Sequence, residues 1–328
     1  MPQSITEQPP PQVNFPSSMP TYLGIDCGGS TTRTCIVDQD GTVLHRGQSG
    51  PGNLASTPQV EIERHIRESL DVAPPTDFVA GCFAGLLTEA DRIRAIALVE
   101  SVTQGKTIAA FPDYRASLAA SPDTDIIVIS GTGALVASNT IQGVRKSGGG
   151  GPLLGDHGSA FDLGRRALAK TVLSPTRAEA SPIFWETIVE LFGSDEPNQI
   201  LASVYRSVSP AARVAKLAQV VVMDATRGLD YARQSVDQAL AHLAVTTWHH
   251  ISVFHPKDST DQPSLNLRLA GGTWEIDEGI LIEEFRTQLK ALKPRNVELD
   301  VNVEKLTVEP VIGATHLARE LGQIHISK

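Results

Sequence analysis

The feature that most constrains the fold of this chain is a short unit of strand, glycine-rich turn and strand that occurs twice. The first copy reads YLGID-CGGSTT-RTCIV and begins at Tyr22, and the second reads IIVIS-GTG-ALVAS and begins at Ile126. The copies are too far apart for the repeats of a solenoid, but their spacing suits a duplicated domain. A cleft between two such domains would bring both glycine-rich turns to one site. We therefore predict an α/β protein with two related domains.

The length and composition exclude several classes of function. The chain has 328 residues, enough for two domains with their own cores. Its formal net charge of −9 at pH 7 is opposite to the basic surface that binds nucleic acid. Its 3 cysteines form neither a CxxC pair nor a disulfide framework, which favours a reducing compartment. No apolar run approaches the roughly 18 residues that span a bilayer, and no secretory signal is evident. We expect a cytoplasmic protein with no nucleic-acid or membrane partner.

Turn signals and apolar periodicity predict most of the regular elements. Asp40-Gly41 between two apolar runs indicates a hairpin, so residues 21–47 are predicted as three consecutive strands. Thr88 to Asp91 matches a capping box, which predicts a helix up to about Val102. Residues 1–20, with six prolines and almost no apolar periodicity, are predicted to be a disordered tail. The other predicted elements are strands at 77–82, 107–111, 125–130 and 265–270 and helices at 58–70, 113–121, 161–173, 211–224, 228–250 and 313–322.

The first glycine-rich turn has the composition of a phosphate-binding loop. Gly28 and Gly29 allow backbone N–H groups to approach an anion closely, and the hydroxyl groups of Ser30 and Thr31 add donors. Asp26, at the end of the preceding strand, is well placed to hold a water-ligated Mg²⁺ beside the phosphates. The alternative is an ordinary hairpin turn, which does not need so many glycines and hydroxyl groups.

The second glycine-rich turn, Gly131-Thr132-Gly133, supplies donors of the same kind. It is not a dinucleotide fingerprint, because it lacks the third glycine and the following helix. Gly105-Lys106-Thr107 resembles the end of a P-loop, but Glu100 stands where that motif needs glycine. The histidines at 249, 250 and 255 do not share one helix face and have no carboxylate cluster beside them, so we predict no metal site there.

Residues 147–165, SGGGGPLLGDHGSAFDLGR, form the most unusual segment of the chain. Seven of its 19 residues are glycine, and it leads directly into an amphipathic helix. A flexible linker is one interpretation, but Pro152, Leu153 and Leu154 are not linker residues. Asp156 offers a lone carboxylate ahead of the helix. Such a loop suits a hydroxyl-rich ligand, because a carboxylate accepts hydrogen bonds from sugar hydroxyl groups.

Together these segments resemble the superfamily of sugar kinases, actin and heat-shock chaperones. GIDCGGSTTRTCIVDQDG resembles its first phosphate segment, ISGTGALVAS its second, and LRLAGGTWE its adenosine segment, with Gly271 and Gly272 against the base and ribose. SGGGGPLLGDHGSAFDLGRRAL is similar to the loop and helix of N-acetylglucosamine kinases and bacterial glucosamine kinases. The resemblance implies two ribonuclease-H-like (actin-like ATPase) domains around a nucleotide cleft. They would comprise residues 21–122, joined by the helix at 313–322, and residues 123–312.

The resemblance also implies an activity, the ATP- and Mg²⁺-dependent transfer of a phosphoryl group to the 6-hydroxyl of N-acetylglucosamine. Asp113, in AFPDYRASL, matches the catalytic aspartate of the family. Asn53 and Asp156 match residues that bind the sugar, and Gly150-Gly151 aligns with the Trp-Gly of the family's GGWG. Asp26 would hold Mg²⁺ through water. The residues implied to bind the ATP phosphates are Gly28, Gly29, Ser30, Thr31, Gly131, Thr132 and Gly133.

Three departures from the family pattern all concern the sugar end of the site. Gly150 replaces a tryptophan, His157 replaces a glutamate, and Pro112-Asp113-Tyr114 replaces Asn-Asp-Ala. The acceptor therefore stays open between N-acetylglucosamine, glucosamine and an N-acetylmuramic-type sugar. The oligomeric state also stays open, and a homodimer is one of the alternatives.

Two other functions are compatible with the same superfamily. A reductase-activating ATPase would carry a cysteine-ligated cluster shared between subunits, and this chain has no suitable cysteine pair. A non-catalytic sugar sensor would have lost the reactive residues, whereas Asp26, Asp113 and both glycine-rich turns are intact. The kinase is therefore our first expectation.

Overall fold

The structure is a computed structural model that describes residues 19–103, 105–172, 180–255, 264–277, 279–293 and 299–326. The tail predicted at residues 1–20 lies outside these ranges except for its last two residues. The strands are β1 (Tyr22–Cys27), β2 (Thr32–Val37), β3 (Val43–Ser49), β4 (Phe78–Phe83), β5 (Thr107–Pro112), β6 (Ile126–Ser130), β7 (Ala134–Thr140), β8 (Gly143–Gly148), β9 (Ser264–Ala270) and β10 (Asp300–Lys305). The helices are α1 (Gln59–Ser69), α2 (Glu89–Val102), α3 (Tyr114–Ala119), α4 (Gly151–Leu154), α5 (Ala160–Val172), α6 (Pro182–Phe192), α7 (Pro197–Tyr205), α8 (Pro210–Ala215), α9 (Ala218–Thr226), α10 (Asp230–Phe254), α11 (Ile280–Leu292) and α12 (Pro310–Ile326).

The first half of the chain forms a five-stranded sheet in the order β3-β2-β1-β4-β5. β1, β2 and β3 pair antiparallel, whereas β4 pairs parallel to β1 and β5 parallel to β4. The hairpin predicted at Asp40-Gly41 joins β2 to β3, and Gly41 has a φ of 88°. A positive φ favours glycine, which explains why this turn ends in one.

The second sheet repeats this topology in the order β10-β9-β6-β7-β8. β6, β7 and β8 pair antiparallel, while β9 is parallel to β6 and β10 is parallel to β9. The predicted duplication is confirmed, since β1 and β2 occupy the positions in their sheet that β6 and β7 occupy in theirs. The α/β class and the two related units are thus present. The boundary near residue 122 stays a prediction.

Alternating side chains of the first sheet pack into two cores, one on each face, because successive strand residues point to opposite sides. Leu23 and Ile25 of β1 pack with buried residues of α1 and α2, among them Ile62 and Leu98. On the other face, Tyr22 packs with α12. The larger core of the second half lies between its sheet and helices α5 to α11.

Helix α3 lies between the two sheets and links them. Its Ala116 packs with α12 against the first sheet, whereas its Leu118 packs with Ile127 and Ala137 of the second sheet. The crossing with α12 is close, because a Cβ on Gly313 would lie only 1.9 Å from the carbonyl oxygen of Ala116. The residue that precedes α3 is therefore fixed at the boundary between the two sheets.

Most predicted elements are confirmed within about two residues, including the capping box in which Thr88 Oγ1 accepts from the N–H of Asp91. The single helix predicted at 211–224 is wrong, since α8 ends at Ala215 and α9 begins at Ala218. At this break a Cβ on Gly164 of α5 would lie 2.2 Å from the carbonyl oxygen of Val214, so a tertiary contact accompanies the interruption. The last helix is longer than predicted. The elements β8, β10, α4, α6, α7 and α11 were not predicted.

None of the described helices combines the length and the apolar character that a membrane span requires.

Candidate functional site

Two carboxylates lie at the carboxyl edge of the first sheet. Asp26 is the penultimate residue of β1, and Asp113 directly follows β5. Because β1, β4 and β5 are parallel, their carboxyl ends meet at one edge. The backbone N–H of Asp113 donates to the carbonyl oxygen of Phe83, the last residue of β4, at 3.1 Å. The carboxylate of Asp113 then accepts from the N–H of Tyr114 at 2.9 Å and so caps α3.

Burial and mutual repulsion make these two carboxylates hard to ionise. Burial, together with the charge of Asp113, raises the pKa of Asp26 to about 7, although the charge of Arg33 acts against both. Burial also raises the pKa of Asp113, while the N–H of Tyr114 and the charge of Lys146 lower it. A cation bound beside the pair would stabilise both charged forms.

The donor set fits a magnesium ion that is bound together with phosphates. Among the described residues no group of three or more His, Cys, Asp or Glu side chains could enclose a metal ion. Mg²⁺ does not require such a group, because it keeps several waters and binds through one or two carboxylates and substrate phosphates. Asp26, a carboxylate whose charge is poorly compensated by the protein, has the chemistry of such a ligand.

The first glycine-rich turn connects β1 to β2 and lies beside the loop that contains Asn53. The N–H of Gly28 donates to the carbonyl oxygen of Thr31 at 2.8 Å, and the N–H of Gly52 donates to the carbonyl oxygen of Gly28 at 2.9 Å. Ser30 is exposed. Asn53 Oδ1 accepts from the N–H of Ala55 at 2.8 Å. This bond fixes the Asn53 side chain within its own loop.

At three positions neither the backbone conformation nor the packing of the protein requires a glycine. Among the 27 glycines, Gly29, Gly131 and Gly272 have no φ in the left-handed region and no heavy atom within 4 Å of the position of a Cβ. The protein would therefore tolerate a side chain at each of them. All three belong to the segments that the sequence predicts to contact ATP. A ligand that approaches the backbone closely explains glycine at these positions.

Several hydrogen bonds fix the second glycine-rich turn to the long glycine-rich loop. Ser130 Oγ donates to the carbonyl oxygen of Gly158 at 2.7 Å, and the N–H of Ala160 donates to the carbonyl oxygen of Gly131 at 2.8 Å. The N–H of Ala134 donates to Asp156 Oδ1 at 3.3 Å. Thr132 lies exposed at the tip of the turn. The turn and the loop therefore form one unit at the carboxyl end of β6.

Asp156 adopts an unusual conformation inside this unit. It has a φ of 58°, which few non-glycine residues adopt, and is 8% exposed. A Cβ on Gly133 would lie 2.9 Å from Asp156 Oδ2, so glycine at 133 makes room for the carboxylate. Burial raises the pKa of Asp156, while the N–H groups of Ala134 and Gly151 lower it. The carboxylate is thus held against the second turn.

The predicted adenosine segment lies at the end of β9, next to the same turn. Gly271 has a φ of 104°, and a Cβ there would lie 2.3 Å from the carbonyl oxygen of Ser130. Glycine at 271 is therefore required by the fold. A 3₁₀-helix, Gly272–Glu275, follows, and its Thr273 Oγ1 donates to the carbonyl oxygen of Gly131 at 3.3 Å. Gly272, by contrast, faces open space.

Two of the residues that depart from the family pattern, Gly150 and His157, are exposed on the loop. Gly150 is exposed and precedes α4, and Gly151 has a φ of 78°. His157 is exposed, and its ring centroid lies 5.2 Å from that of His242. Tyr114 begins α3 directly after Asp113. Gly150 therefore places no side chain at this position of the loop.

A buried histidine anchors the start of the loop, a role that the sequence did not indicate. His250 of α10 is fully buried; its Nε2 lies 2.8 Å from Ser138 Oγ of β7 and its Nδ1 2.8 Å from Ser147 Oγ of β8. Ser147 directly precedes the glycines of the loop. The histidine thus joins three elements just before the chain enters the site. The sequence predicted no metal site at this histidine and gave no sign of its anchoring role.

We expect this histidine to make folding stability depend on pH. Burial lowers the pKa of His250 from 6.5 to about 4, and the charges of His255 and His249 act in the same direction. The unfolded chain therefore takes up a proton at a higher pH than the folded one, and the free energy of unfolding decreases as the pH falls from about 6.5 towards 4. Between pH 7.5 and pH 5 this contribution decreases by about 2 kcal/mol. Urea unfolding measures the free energy of unfolding at both pH values. The difference between the two values should be about 2 kcal/mol smaller in His250→Gln than in the wild type. An identical pH dependence in both proteins would contradict the assignment.

A second residue that the sequence did not indicate is Lys146 of β8. Its Nζ lies 6.0 Å from the centroid of the Tyr114 ring, and its charge lowers the pKa of both Asp113 and Asp156. These carboxylates come from the two halves of the chain. No motif marks Lys146, because β8 has no apolar alternation.

The chain is similar to one family of ATPases and to two named amino-sugar kinases. The BadF/BadG/BcrA/BcrD ATPase family matches residues 23–318. The N-acetylmuramic acid/N-acetylglucosamine kinase of Clostridium acetobutylicum is 26% identical over 313 residues, which cover 92% of this chain and 99% of that protein. The N-acetyl-D-glucosamine kinase of Dictyostelium discoideum is 30% identical over 163 residues, 44% of this chain and 51% of that protein.

Solved structures share the fold. A protein from Chromobacterium violaceum, provisionally named an N-acetylglucosamine kinase, superposes with a TM-score of 0.66 at 22% identity, covering 92% of this chain and 99% of that one. A ROK family glucokinase from Streptomyces griseus, solved with glucose and AMPPNP, gives a TM-score of 0.59 at 14% identity, covering 92% of this chain and 99% of that one. The two-domain actin-like architecture expected from the sequence is confirmed. Because the family match extends over nearly the whole folded chain, this protein belongs to the BadF/BadG/BcrA/BcrD ATPase family.

Proposed function

We propose that this protein is an ATP-dependent amino-sugar kinase that transfers the γ-phosphoryl group to the 6-hydroxyl of N-acetylglucosamine. The observation that supports this best is the position of Asp113. Its half-buried carboxylate lies, like that of Asp26, at the carboxyl edge of the first sheet, and also at the boundary with the second. A base at that place would face a nucleotide cleft between the two glycine-rich turns.

The phosphates would lie between the two glycine-rich turns. The backbone at Gly29 would donate its N–H group to them. The N–H of Gly131 donates to the carbonyl oxygen of Gly133, but the open space at Gly131 would let a phosphate approach the turn. The hydroxyl groups of Ser30, Thr31 and Thr132 would add donors. Gly272, which also faces open space, would lie against the adenosine together with Gly271. Mg²⁺, held by Asp26 through water, would supply positive charge to the phosphates.

Asp113 would accept the proton of the sugar hydroxyl. Burial raises its pKa above the ordinary value for a carboxylate, which makes it a stronger base, and the N–H of Tyr114 fixes one of its oxygens. Phosphoryl transfer requires mainly positioning and charge stabilisation, so a fixed base and fixed donors suit it.

The sugar would lie between Asp113, the Asn53 loop and the glycine-rich loop. Asp156 would accept from sugar hydroxyl groups, and the backbone at Gly150 and Gly151 would lie against the ring. Closure of the two domains on the sugar would exclude water and limit idle hydrolysis of ATP. The names of the relatives from Clostridium and Dictyostelium support N-acetylglucosamine as the acceptor. Glucosamine is the second candidate.

A reductase-activating ATPase is the other function that the family suggests. Its shared cluster would need cysteines at the surface, but Cys27, Cys35 and Cys82 are all buried in the first half of the chain. Burial also raises the pKa of each thiol, which disfavours the thiolate that binds iron. The structure therefore favours the kinase.

ADP release by the purified protein, with and without amino sugars, distinguishes the candidates. A kinase releases ADP only when a sugar is present. An ATPase releases it slowly without sugar, and a non-catalytic sensor releases none. Sugar-independent release at an unchanged rate would contradict the proposal.

We expect the missing aromatic residue at position 150 to affect the sugar affinity. Gly150 has an ordinary φ of −83°, and a Cβ there would lie 3.3 Å from the backbone of Leu154, so Gly150→Trp requires a small shift of Leu154. An indole ring there would add apolar contact to the sugar site, so the KM for N-acetylglucosamine or glucosamine should decrease and the range of accepted sugars should narrow. The check is a set of KM values for several amino sugars in wild type and variant. If every KM stays unchanged, Gly150 is remote from the sugar.

A further inference from the structure

Strand register places Lys146 on the face of the second sheet that looks towards the first. Lys146 pairs with Ala137 of β7, and directly paired residues share a face. Ala137 packs against Leu118 of α3, and Val144, two residues before Lys146, packs in the same cluster. Ser147 lies on the opposite face, against His250. The side chain of Lys146 is thus directed to the boundary between the two halves.

The ammonium group of Lys146 acts on carboxylates that belong to different halves of the chain. Its Nζ is 6.0 Å from the ring centroid of Tyr114, the residue after Asp113, and 3.6 Å from the position of a Cβ on Gly149. It acts electrostatically on Asp113 in the first half and on Asp156 in the second. Its side chain is exposed, and it forms no ion pair with another described residue. The ammonium group is therefore available to a ligand.

In the proposed kinase the phosphoryl group would move past Lys146. Asp156 lies against Gly133 of the second glycine-rich turn, where the phosphates would bind, and Asp113 would hold the acceptor hydroxyl. A group that moves from the turn to that hydroxyl would remain within reach of a cation that acts on both Asp113 and Asp156. Cations that are already in place where negative charge develops are among the largest contributions to phosphoryl transfer.

We propose that Lys146 is a further catalytic residue, whose ammonium group contacts the phosphoryl group during its transfer; this rests on the proposed kinase function. In the step, the bond between the γ-phosphorus and the β,γ-bridging oxygen breaks, and its electron pair leaves with ADP. A bond forms from the sugar oxygen to the γ-phosphorus, and the hydroxyl proton passes to Asp113. Lys146 keeps its proton and stabilises the charge on the phosphoryl oxygens.

The first test compares Lys146→Met, Lys146→Arg and Arg145→Met in sugar-dependent ADP release. Arg145 is a matched control, since it is the adjacent cation on β8 and its guanidinium donates to Gln142 Oε1 at 3.1 Å. We expect kcat to fall about 10²-fold in Lys146→Met. It should recover to within about tenfold of the wild type in Lys146→Arg and change less than twofold in Arg145→Met. A kcat of Lys146→Met within threefold of the wild type, or an equal loss in Arg145→Met, overturns the proposal.

The proposal is also overturned if Lys146→Met lowers kcat only with a sugar that bears a carboxylate, such as N-acetylmuramic acid. That result would assign Lys146 to the sugar substituent.

The second test needs no turnover and so separates this proposal from the proposed function. ADP with aluminium fluoride mimics the phosphoryl group in transfer, and its affinity can be compared with that of ADP alone by calorimetry. Aluminium fluoride should lower the Kd for ADP by a factor that is about tenfold smaller in Lys146→Met than in the wild type. The Kd for ADP alone should be the same in both proteins. Equal tightening in both proteins overturns the role of Lys146, whether or not any sugar is phosphorylated. Absence of sugar-dependent ADP release in the wild type would instead overturn the kinase function alone.

Discussion

Asp113→Asn should lower kcat about 10²- to 10⁴-fold, the range expected when a general base is lost, while the Kd for ATP stays within about threefold of the wild type. The amide keeps the size of the side chain and still accepts from the N–H of Tyr114, so the cap of α3 is preserved. It cannot take the proton of the acceptor hydroxyl. Steady-state kinetics with N-acetylglucosamine and ATP titration by calorimetry measure the two effects separately.

Asp71→Asn is the matched control for this variant. Asp71 is exposed after α1, before β4 begins, and is therefore at the amino end of the parallel strands, opposite the site. The Asp71→Asn substitution removes one negative charge, as Asp113→Asn does, and we expect wild-type kinetics. If Asp113→Asn keeps more than a third of the wild-type turnover, Asp113 is not the base.

Gly131→Ala and Gly24→Ala should have opposite effects on nucleotide affinity and stability. Gly131 has open space where a Cβ would lie, so Gly131→Ala should leave the melting temperature unchanged. The added methyl group would occupy the space of a phosphate and displace a charge-assisted hydrogen bond, which should raise the Kd for ATP about 10- to 100-fold.

Gly24→Ala provides the contrast. A Cβ on Gly24 would lie 2.5 Å from the backbone nitrogen of Thr315 in α12, so the helix must shift away from β1. We expect a loss of about 1–3 kcal/mol in the free energy of unfolding. Thermal melting and ATP titration of both variants check the pair. A stable Gly131→Ala protein that binds ATP as tightly as the wild type would show that no phosphate contacts this turn.

The parts of the fold that local sequence determines were predictable. Strands β1, β2, β6 and β7 have short apolar runs on each side of a glycine-rich turn, and their hydrogen bonds join neighbours in sequence. The capping box at Thr88 is also local. The position of Asp113 followed from its place after an apolar strand and from the family resemblance.

Lys146 was missed because its strand is determined by tertiary pairing. The β8 sequence, GVRKSG, has a glycine at each end and two adjacent cations, and it has no apolar alternation. Its extended conformation comes from pairing with β7. Without the strand, no sequence argument could assign Lys146 to the face that looks towards Asp113.

Long-range contacts explain the other differences. The helix predicted at 211–224 is broken where Val214 meets Gly164, about fifty residues earlier in the chain. The role of His250 depends on Ser138 and Ser147, which lie on two strands far from it in sequence. Periodicity within one segment contains no information about such partners.

The most direct test of the central claim is the identity of the product. The wild-type protein with ATP, Mg²⁺ and N-acetylglucosamine should yield a sugar phosphate in amounts equal to the ADP released, and ³¹P and ¹H NMR should show the phosphate on the oxygen of C6. ADP formed together with free inorganic phosphate and unchanged sugar would contradict the account.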